Sequence, residues 1–146
     1  MSKVDTYEYD FLRLTFCGFG IAQMAGGGGT TTLWAGLHTV DPTDAGSTVN
    51  EGGYTAYTRV AVDRSTLGFA VTSGTGAAPA TVSPVAPITF PQCITTSTGT
   101  FGWFTIYQTS VSPSSQAIYN GTVVPTMNFG QNVTPRLTTG SSITED

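Results

Sequence analysis

The first hydrophobic pattern in the chain is helical and covers residues 5–17. Asp5 and Glu8 stand three residues apart, as in a capping box, and favour a helix start at Asp5. Gly18 follows the pattern and is typical of a helix end. Apolar side chains at helical spacing form one face: Tyr7, Phe11 and Leu14, extended by Leu12 and Phe16. We expect this face to pack in the core, although it can also dock on a neighbouring subunit.

From Leu33 onward the pattern changes to short runs in which apolar and polar residues alternate, which predicts strands. We count about seven or eight such runs: Leu33–Thr39, Tyr57–Asp63, Gly68–Ser73, Ile88–Cys93, Thr100–Thr109, Ala117–Val124, Arg136–Thr139 and Ser142–Glu145. The run at Thr100–Thr109 is apolar on both faces and therefore predicts a central strand. Asn120-Gly121 indicates either a hairpin turn or a bulge within one strand.

Residues 41–53 and 74–87 are rich in Gly, Pro, Asp and small residues, and we interpret both as long loops, the second with an edge segment as the alternative. Many short strands separated by such turns are typical of a mainly β fold, either a β-sandwich or a jelly-roll-like domain. We predict a single domain over residues 1–146, with the helix at 5–17 and strands and loops over 33–146. A chain of this length can bury a core without disulfides or metals.

Composition adds an unusual shortage of charge. Only 10% of residues are Asp, Glu, Lys or Arg, against about 25% in typical soluble domains. The centres of subunit interfaces exclude charge, so this shortage favours a protein that assembles, with a Thr/Ser-rich monomer as the alternative. Arg59 can pair with either Asp63 or Glu51.

The same numbers argue against several partners. The net charge is −4 without a basic stripe, so we expect no nucleic-acid binding. No stretch reaches the roughly 18 apolar residues of a membrane span, so we expect no membrane association. The N-terminus lacks a secretory signal pattern, so we expect synthesis in the host cytoplasm.

Candidate chemistry is sparse. His38 is the one histidine, and no nucleophile motif accompanies it, so we interpret it as a structural side chain. Cys17 and Cys93 lack metal-ligand spacing and lie among apolar residues, which indicates buried free thiols. We therefore predict no enzyme, no catalytic residues and no cofactor.

Three weaker patterns remain. A loop with four oxygen-bearing side chains is a poor match to a calcium site and is better explained by turns: Asp41, Asp44, Asn50 and Glu51. The glycines of residues 25–32 lack the Lys that a phosphate-binding loop requires. Trp34 and Trp103 lie in strand patterns, so we expect core packing and no carbohydrate binding.

Several short motifs together resemble a family of small tailed-bacteriophage virion proteins, described as tail-fibre-like or head-decoration-like. The matching pieces are Tyr7-Glu8-x-Asp10-Phe11-Leu12, Leu33-Trp34-Ala35-Gly36-Leu37-His38-Thr39, Asp41-Pro42-Thr43-Asp44-Ala45-Gly46, Asn50-Glu51, Tyr54-x-x-Tyr57-x-Arg59-Val60-Ala61-Val62 with Arg64, Ile88-Thr89-Phe90-Pro91, Tyr119-x-Gly121, Thr134-Pro135-x-Leu137 and Thr144-Glu145-Asp146. The resemblance implies a virion subunit on a β-sandwich-like domain, without catalytic residues.

The resemblance and the shortage of charge lead to a functional hypothesis. We predict a capsid decoration (cement) protein, a homotrimer that binds the major capsid protein or other virion proteins and stabilises the head. The alternative is a tail-tip or tail-fibre-associated subunit that contacts the host surface. The predicted interface residues are Tyr7, Phe11, Leu14, Asp41, Asp44, Tyr54 and Tyr57.

Overall fold

The computed structural model describes residues 5–19, 30–43, 47–73, 79–111 and 117–145, with side chains for all of these except 5–8 and 144–145. In that part of the chain the elements are α1 (Asp5–Cys17), β1 (Thr32–His38), β2 (Val60–Asp63), β3 (Phe69–Thr72), β4 (Ala80–Pro84), β5 (Ile88–Thr89), β6 (Gly99–Tyr107), β7 (Ala117–Phe129), β8 (Arg136–Leu137) and β9 (Ile143–Glu145). The mainly β, sandwich-like class with one N-terminal helix is confirmed.

Contacts between residues divide the chain into two compact units. Unit 1 comprises Met1–Thr32, Asp63–Pro87 and Thr138–Asp146, and unit 2 comprises Leu33–Val62 and Ile88–Leu137. The prediction of a single domain over 1–146 stays a prediction.

In unit 1, α1 packs on β3 and β4 of a three-stranded sheet with the order β3-β4-β9. The helix buries Leu12 and Phe16 completely, one turn apart on the same face. The Phe16 ring meets the edge of the Phe69 ring on β3 at a centroid distance of 5.0 Å. The buried face of the helix is therefore centred on Leu12 and Phe16, whereas Phe11 and Leu14 are only half-buried.

The end of α1 is stabilised both locally and by a distant side chain. Gly18 has a left-handed φ of 72°, which an L side chain adopts only at a cost, and the Phe19 amide donates to the Arg13 carbonyl. The Arg64 guanidinium donates to the carbonyls of Leu14 and Thr15, the latter at 2.6 Å. Since α1 has no basic residue in its last turn, Arg64 supplies the positive charge that a helix C-terminus favours.

The segment 74–87 differs from its prediction as a loop or edge. Ala80–Pro84 is a strand, and it lies at the centre of its sheet between β3 and β9. Ala80, Val82 and Pro84 are buried and alternate with half-buried Thr81 and Ser83. Small residues and Pro weaken the hydrophobic signal of this alternation. Pro84 lies beyond the pairing with β9, which covers only Ala80, Thr81 and Val82.

In unit 2, four strands form a sheet with the order β2-β1-β6-β7, and β5 pairs with β8 in a second, two-stranded sheet. The predicted central strand is confirmed, because β6 lies antiparallel between β1 and β7. Five aromatic rings fill the core of this unit: Tyr54, Tyr57, Phe90, Phe101 and Phe129. The closest pair is Phe101 and Phe129, stacked at 4.6 Å.

Several strands of unit 2 differ from their predicted bounds; β5, for example, ends at Thr89 and not at Cys93. β7 continues beyond Val124 to Phe129, and Pro125 is accommodated because β7 is an edge strand of the described sheet. Asn120 and Gly121 pair in regular register with Thr105 and Phe104, so they form neither a hairpin turn nor a bulge. Gly121 is needed for close packing, because a Cβ there would lie 2.8 Å from the Phe104 ring.

β2 is shorter than the predicted run Tyr57–Asp63, because the strand begins only at Val60. Residues 57–59 precede the strand and are not part of it, and the Arg59 side chain in this segment is buried. None of the described helices has the length and apolar character needed to cross a membrane.

Replacing Arg64 by Met tests the cap at the end of α1. We expect a loss of about 1–2 kcal/mol in the free energy of unfolding, because the carbonyls of the last helical turn lose charged donors. Urea unfolding measures this loss. The control is Arg136→Met, which removes the same charge from an exposed position and should change stability by no more than about 0.5 kcal/mol. Equal effects of both changes would refute the cap.

Candidate functional site

The most concentrated polar contacts of unit 2 surround a buried ion pair between Glu51 and Arg59. Arg59 Nε and Nη2 donate to Glu51 Oε1 and Oε2, both at 2.7 Å, which gives the two-pronged geometry that favours Arg–carboxylate pairs. The side chains are only 4% and 10% exposed. Arg59 Nη1 also donates to the carbonyls of Thr109 and Val111 at 3.0 and 3.2 Å. The pair therefore joins the loop after β1 to the loop after β6.

Aromatic side chains enclose this ion pair. The Arg59 guanidinium lies 3.4 Å from the centroid of the Tyr107 ring, a cation–π contact. The Tyr57 hydroxyl accepts from the Leu37 amide at 2.7 Å and donates to Glu51 Oε1 at 3.4 Å. Burial raises the pKa of Tyr107 to about 12, so its hydroxyl stays protonated at neutral pH.

Gly36 on β1 makes room for these groups. A Cβ at this position would lie 2.8 Å from Glu51 Oε1 and 2.9 Å from the Tyr107 ring. Side chains essentially never approach so closely, so a larger residue would displace the carboxylate or the ring. The glycine in the strand is thus required by the ion pair that packs over it.

His38 belongs to the same polar cluster. Its Nε2 lies 3.0 Å from Thr105 Oγ1 and 3.1 Å from the Tyr107 hydroxyl, while the buried Nδ1 has no hydrogen-bond partner among the described residues. Burial lowers the pKa of His38, an effect opposed by the Glu51 charge and reinforced by that of Arg59. The imidazole is therefore neutral at neutral pH.

These neighbours give His38 a structural role. A threonine hydroxyl next to an imidazole resembles a nucleophile with its base, but His38, Thr105 and Tyr107 are all 0% exposed. A substrate cannot reach this pair without unfolding of the sheet. The interpretation of His38 as a structural side chain agrees with this geometry.

The accessible feature on the same face of the sheet is a cleft of about 340 Å³, lined by Asp41, Thr43, Trp103, Asn120, Gly121 and Thr122. The register pairs Trp103 with both His38 and Thr122, and Thr105 with Asn120, so these residues share one face. The cleft thus lies beside the buried cluster. It combines a half-buried indole with a carboxylate, an amide and two hydroxyls.

The loop wall of the cleft is held by specific bonds. The Thr43 amide donates to Asp41 Oδ1 at 2.8 Å, and Asn120 Nδ2 on β7 donates to the Thr43 carbonyl. Thr43 has a φ of 56°, which is rare for a β-branched residue. Such strained conformations occur where surrounding contacts impose them, and they concentrate at functional sites.

The predicted interface residues fall in several places. Asp41 is exposed and lines the cleft, and Phe11 and Leu14 are half-buried on α1. The Tyr7 side chain and all of Asp44 lie outside the described residues. Phe11 and Leu14 belong to unit 1 and Asp41 to unit 2, and their role as an interface stays a prediction.

Tyr54 and Tyr57, also predicted at the interface, lie within unit 2. Tyr54 is 8% exposed, and its hydroxyl donates to the Pro91 carbonyl at 2.6 Å. Tyr57 stacks on Phe90 at 6.0 Å and bonds Glu51. Packing inside the unit accounts for both side chains without a partner.

Most residues that line the cleft carry no functional signal in the sequence. Core packing is the prediction for Trp34 and Trp103, yet both side chains are half-buried. Asn120 and Thr122 gave no local signal, because their neighbourhood with Asp41 depends on strand pairing. Two of the four side chains in the loop that poorly matches a calcium site have other partners. Glu51 pairs with Arg59, and Asp41 accepts a hydrogen bond from the Thr43 amide.

The described residues contain neither a metal-binding group nor a disulfide. No three His, Cys, Asp or Glu side chains are grouped to hold a metal ion within the described ranges. Cys17 and Cys93 are buried free thiols. Burial raises the pKa of Cys17, partly offset by Arg13 and Arg64, which keeps it in the unreactive thiol form.

Comparison with known proteins identifies the class. Residues 26–141 match the family model described as podophage GP4 fiber I protein gp80. The chain therefore belongs to this family of tail-fibre-like virion proteins of tailed phages, as the sequence motifs implied, and its location is the phage particle. No curated protein sequence matches the chain.

A double-mutant cycle tests the buried ion pair. We expect Arg59→Met and Glu51→Gln each to lower the free energy of unfolding, Arg59→Met by about 3–5 kcal/mol because it leaves a buried carboxylate without its cation. The double variant should lose less than the sum of the two. Urea unfolding supplies the values. Asp63→Asn, at the exposed alternative partner, should stay within about 0.5 kcal/mol. Additive losses would refute the coupling.

The pH dependence of stability tests the state of His38. In the unfolded chain the imidazole binds a proton below about pH 6.5, whereas the folded chain, with its lowered pKa, does not. The contribution of His38 to the free energy of unfolding should therefore be fully present above that pH. As the pH decreases through it, the free energy of unfolding should fall, by at most about 1.4 kcal/mol per pH unit. Denaturant unfolding of the wild type and His38→Gln should give a smaller slope for the variant. Equal slopes, or an imidazole NMR signal that titrates at its ordinary pH, would contradict this.

Proposed function

We propose that this protein is a structural subunit of the tail-fibre apparatus of a tailed phage, held in the particle by other virion proteins and without enzymatic activity. The observation that carries the proposal is the family match over residues 26–141, which covers all of unit 2 and part of unit 1, without α1. The fibre role is the alternative that the sequence motifs left open beside capsid decoration.

The distribution of charge supports a role in assembly. Of the few charged residues, Glu51 and Arg59 neutralise each other in the interior, and Arg64 binds the end of α1. The described surface is left with even less charge than the composition indicates, which is typical of surfaces that partner subunits cover. We propose that copies of this chain associate with one another, in a homotrimer, and with neighbouring virion proteins.

Capsid decoration remains the second candidate. It is favoured by the short chain and the lack of a fibrous repeat in the sequence, since a fibre shaft usually needs repeats or an extended region. In that case the partner is the major capsid protein. Both candidates require the same kind of charge-poor contact surface.

Immunogold labelling of intact particles separates the two roles. We expect gold at the tail or its fibres, and antibody binding should block adsorption if the subunit faces the host. Label distributed over the capsid shell would instead establish decoration, and particles lacking the protein should then burst at lower temperature. Intact particles that carry no label, while the purified chain binds the antibody, would reject both roles.

A further inference from the structure

The end of α1 carries an arginine whose side chain is held in place by aromatic rings. The Arg13 guanidinium carbon lies 5.2 Å from the centroid of the Tyr9 ring, one helical turn earlier, and 4.2 Å from that of Phe19. Phe19 reaches this position because the chain reverses at Gly18, and its amide donates to the Arg13 carbonyl. Both contacts are cation–π contacts, which restrict the orientation of the guanidinium.

The hydrogen-bond donors of this guanidinium are unused. Among the residues that the structure describes, no carboxylate, carbonyl or hydroxyl accepts a hydrogen bond from the Arg13 side chain. An arginine has five N–H donors in a planar fork, which matches the two oxygens of a carboxylate. Arg13 is therefore oriented to bind a carboxylate that its own chain does not supply.

Two carboxylates of unit 1 lie near this end of the helix without pairing with Arg13. Asp10, three residues earlier on α1, is half-buried and has no ion pair within the described ranges. Asp63 is exposed at the end of β2, and its carboxylate has no described partner either. Since Arg64 directly follows it and donates to carbonyls of the last helical turn, Asp63 lies at the same end of α1 as Arg13.

Exposed apolar side chains accompany these two charges. Phe19 and Leu67 are 42% and 79% exposed. Leu67 lies just before β3, whose first residue, Phe69, accepts a hydrogen bond from Cys17 Sγ at the end of α1. Aromatic residues and arginine are enriched in subunit interfaces. We name this region the helix-end surface, with the members Tyr9, Arg13, Phe19, Asp63 and Leu67.

We propose that the helix-end surface is a contact between copies of this chain, in which Arg13 of one copy binds the Asp63 carboxylate of the next. A surface that carries both halves of an ion pair, neither of them paired within the chain, is complementary to a second copy of itself. In a ring of three copies each Arg13 meets the Asp63 of its neighbour. The contact rests on the association of copies proposed above and assigns its residues.

A phosphate group is the competing occupant of Arg13. Asp63 on the same surface and the net charge of −4 repel a polyanion, whereas they do not oppose a single carboxylate that belongs to an equally composed surface. Arg13, Tyr9 and Phe19 also lie outside residues 26–141, over which the chain matches its family. The contact is therefore a property of this chain that the family match does not imply.

Sedimentation velocity of the full chain over a range of concentrations tests the contact. We expect the wild type to associate, and Arg13→Asp and Asp63→Arg each to lower the association constant about tenfold or more, because each places like charges opposite each other. The combined variant, Arg13→Asp with Asp63→Arg, restores an ion pair of reversed polarity and should recover most of the association. The matched control is Arg136→Asp, the same charge reversal at an exposed position of unit 2, which should associate as the wild type does.

Urea unfolding of the dilute chain separates association from folding. Each charge variant should unfold near the wild-type urea concentration, because neither side chain has an ion-pair partner among the described residues. If a charge reversal disturbs folding, Arg13→Gln and Asp63→Asn replace it. These variants remove a charge without reversing it and should weaken association about threefold.

The outcomes distinguish this contact from the proposed function. Association of the wild type that neither Arg13 variant weakens, or a combined charge swap without recovery, would overturn the contact and leave the fibre role to the immunogold experiment. A wild type that is monomeric at every concentration would overturn both the contact and the association of copies. Saturable binding of inorganic phosphate that Arg13→Asp abolishes, in a chain that stays monomeric, would assign Arg13 to a phosphate ligand instead.

Discussion

The architecture of unit 2 depends on the ion pair between Glu51 and Arg59. Burying two charges costs several kcal/mol of desolvation each, and the cost is recovered only with good geometry and further hydrogen bonds. Arg59 meets this condition through a two-pronged carboxylate contact, two carbonyls and the Tyr107 ring. The pair links segments that are distant in sequence, namely the loop after β1 and the loop after β6.

Other features of the unit follow from this constraint. Gly36 must lack a side chain so that the Glu51 carboxylate and the Tyr107 ring can approach β1. Tyr107 in turn bonds His38, which keeps a neutral imidazole between β1 and β6. Trp103, which lines the cleft, stands opposite His38 on the same face of the sheet. A charge-poor chain thus places two of its charges where they organise the sheet that carries the cleft.

Unit 1 uses the same device on a smaller scale. Arg64, at the turn after β2, binds carbonyls at the end of α1 and so fixes the helix to a segment about 50 residues later in the chain. In both units an arginine donates hydrogen bonds to backbone carbonyls that lie about 50 residues away in the sequence. With so few cations available, these internal roles leave the described surface rich in uncharged polar groups, which suits a subunit of a virion.

The sequence by itself determined the features that depend on neighbouring residues. The bounds of α1 follow from a capping pattern and Gly18, and the central position of β6 follows from its two apolar faces. The family was also evident from local motifs. Tertiary structure decided the rest: whether Arg59 pairs with Glu51 or Asp63, that β4 is a central strand, and that Asn120 meets Thr43 across 77 positions. Such contacts depend on strand order and register, which bring together residues that are distant in sequence. The local sequence around one of these residues does not reveal its partner.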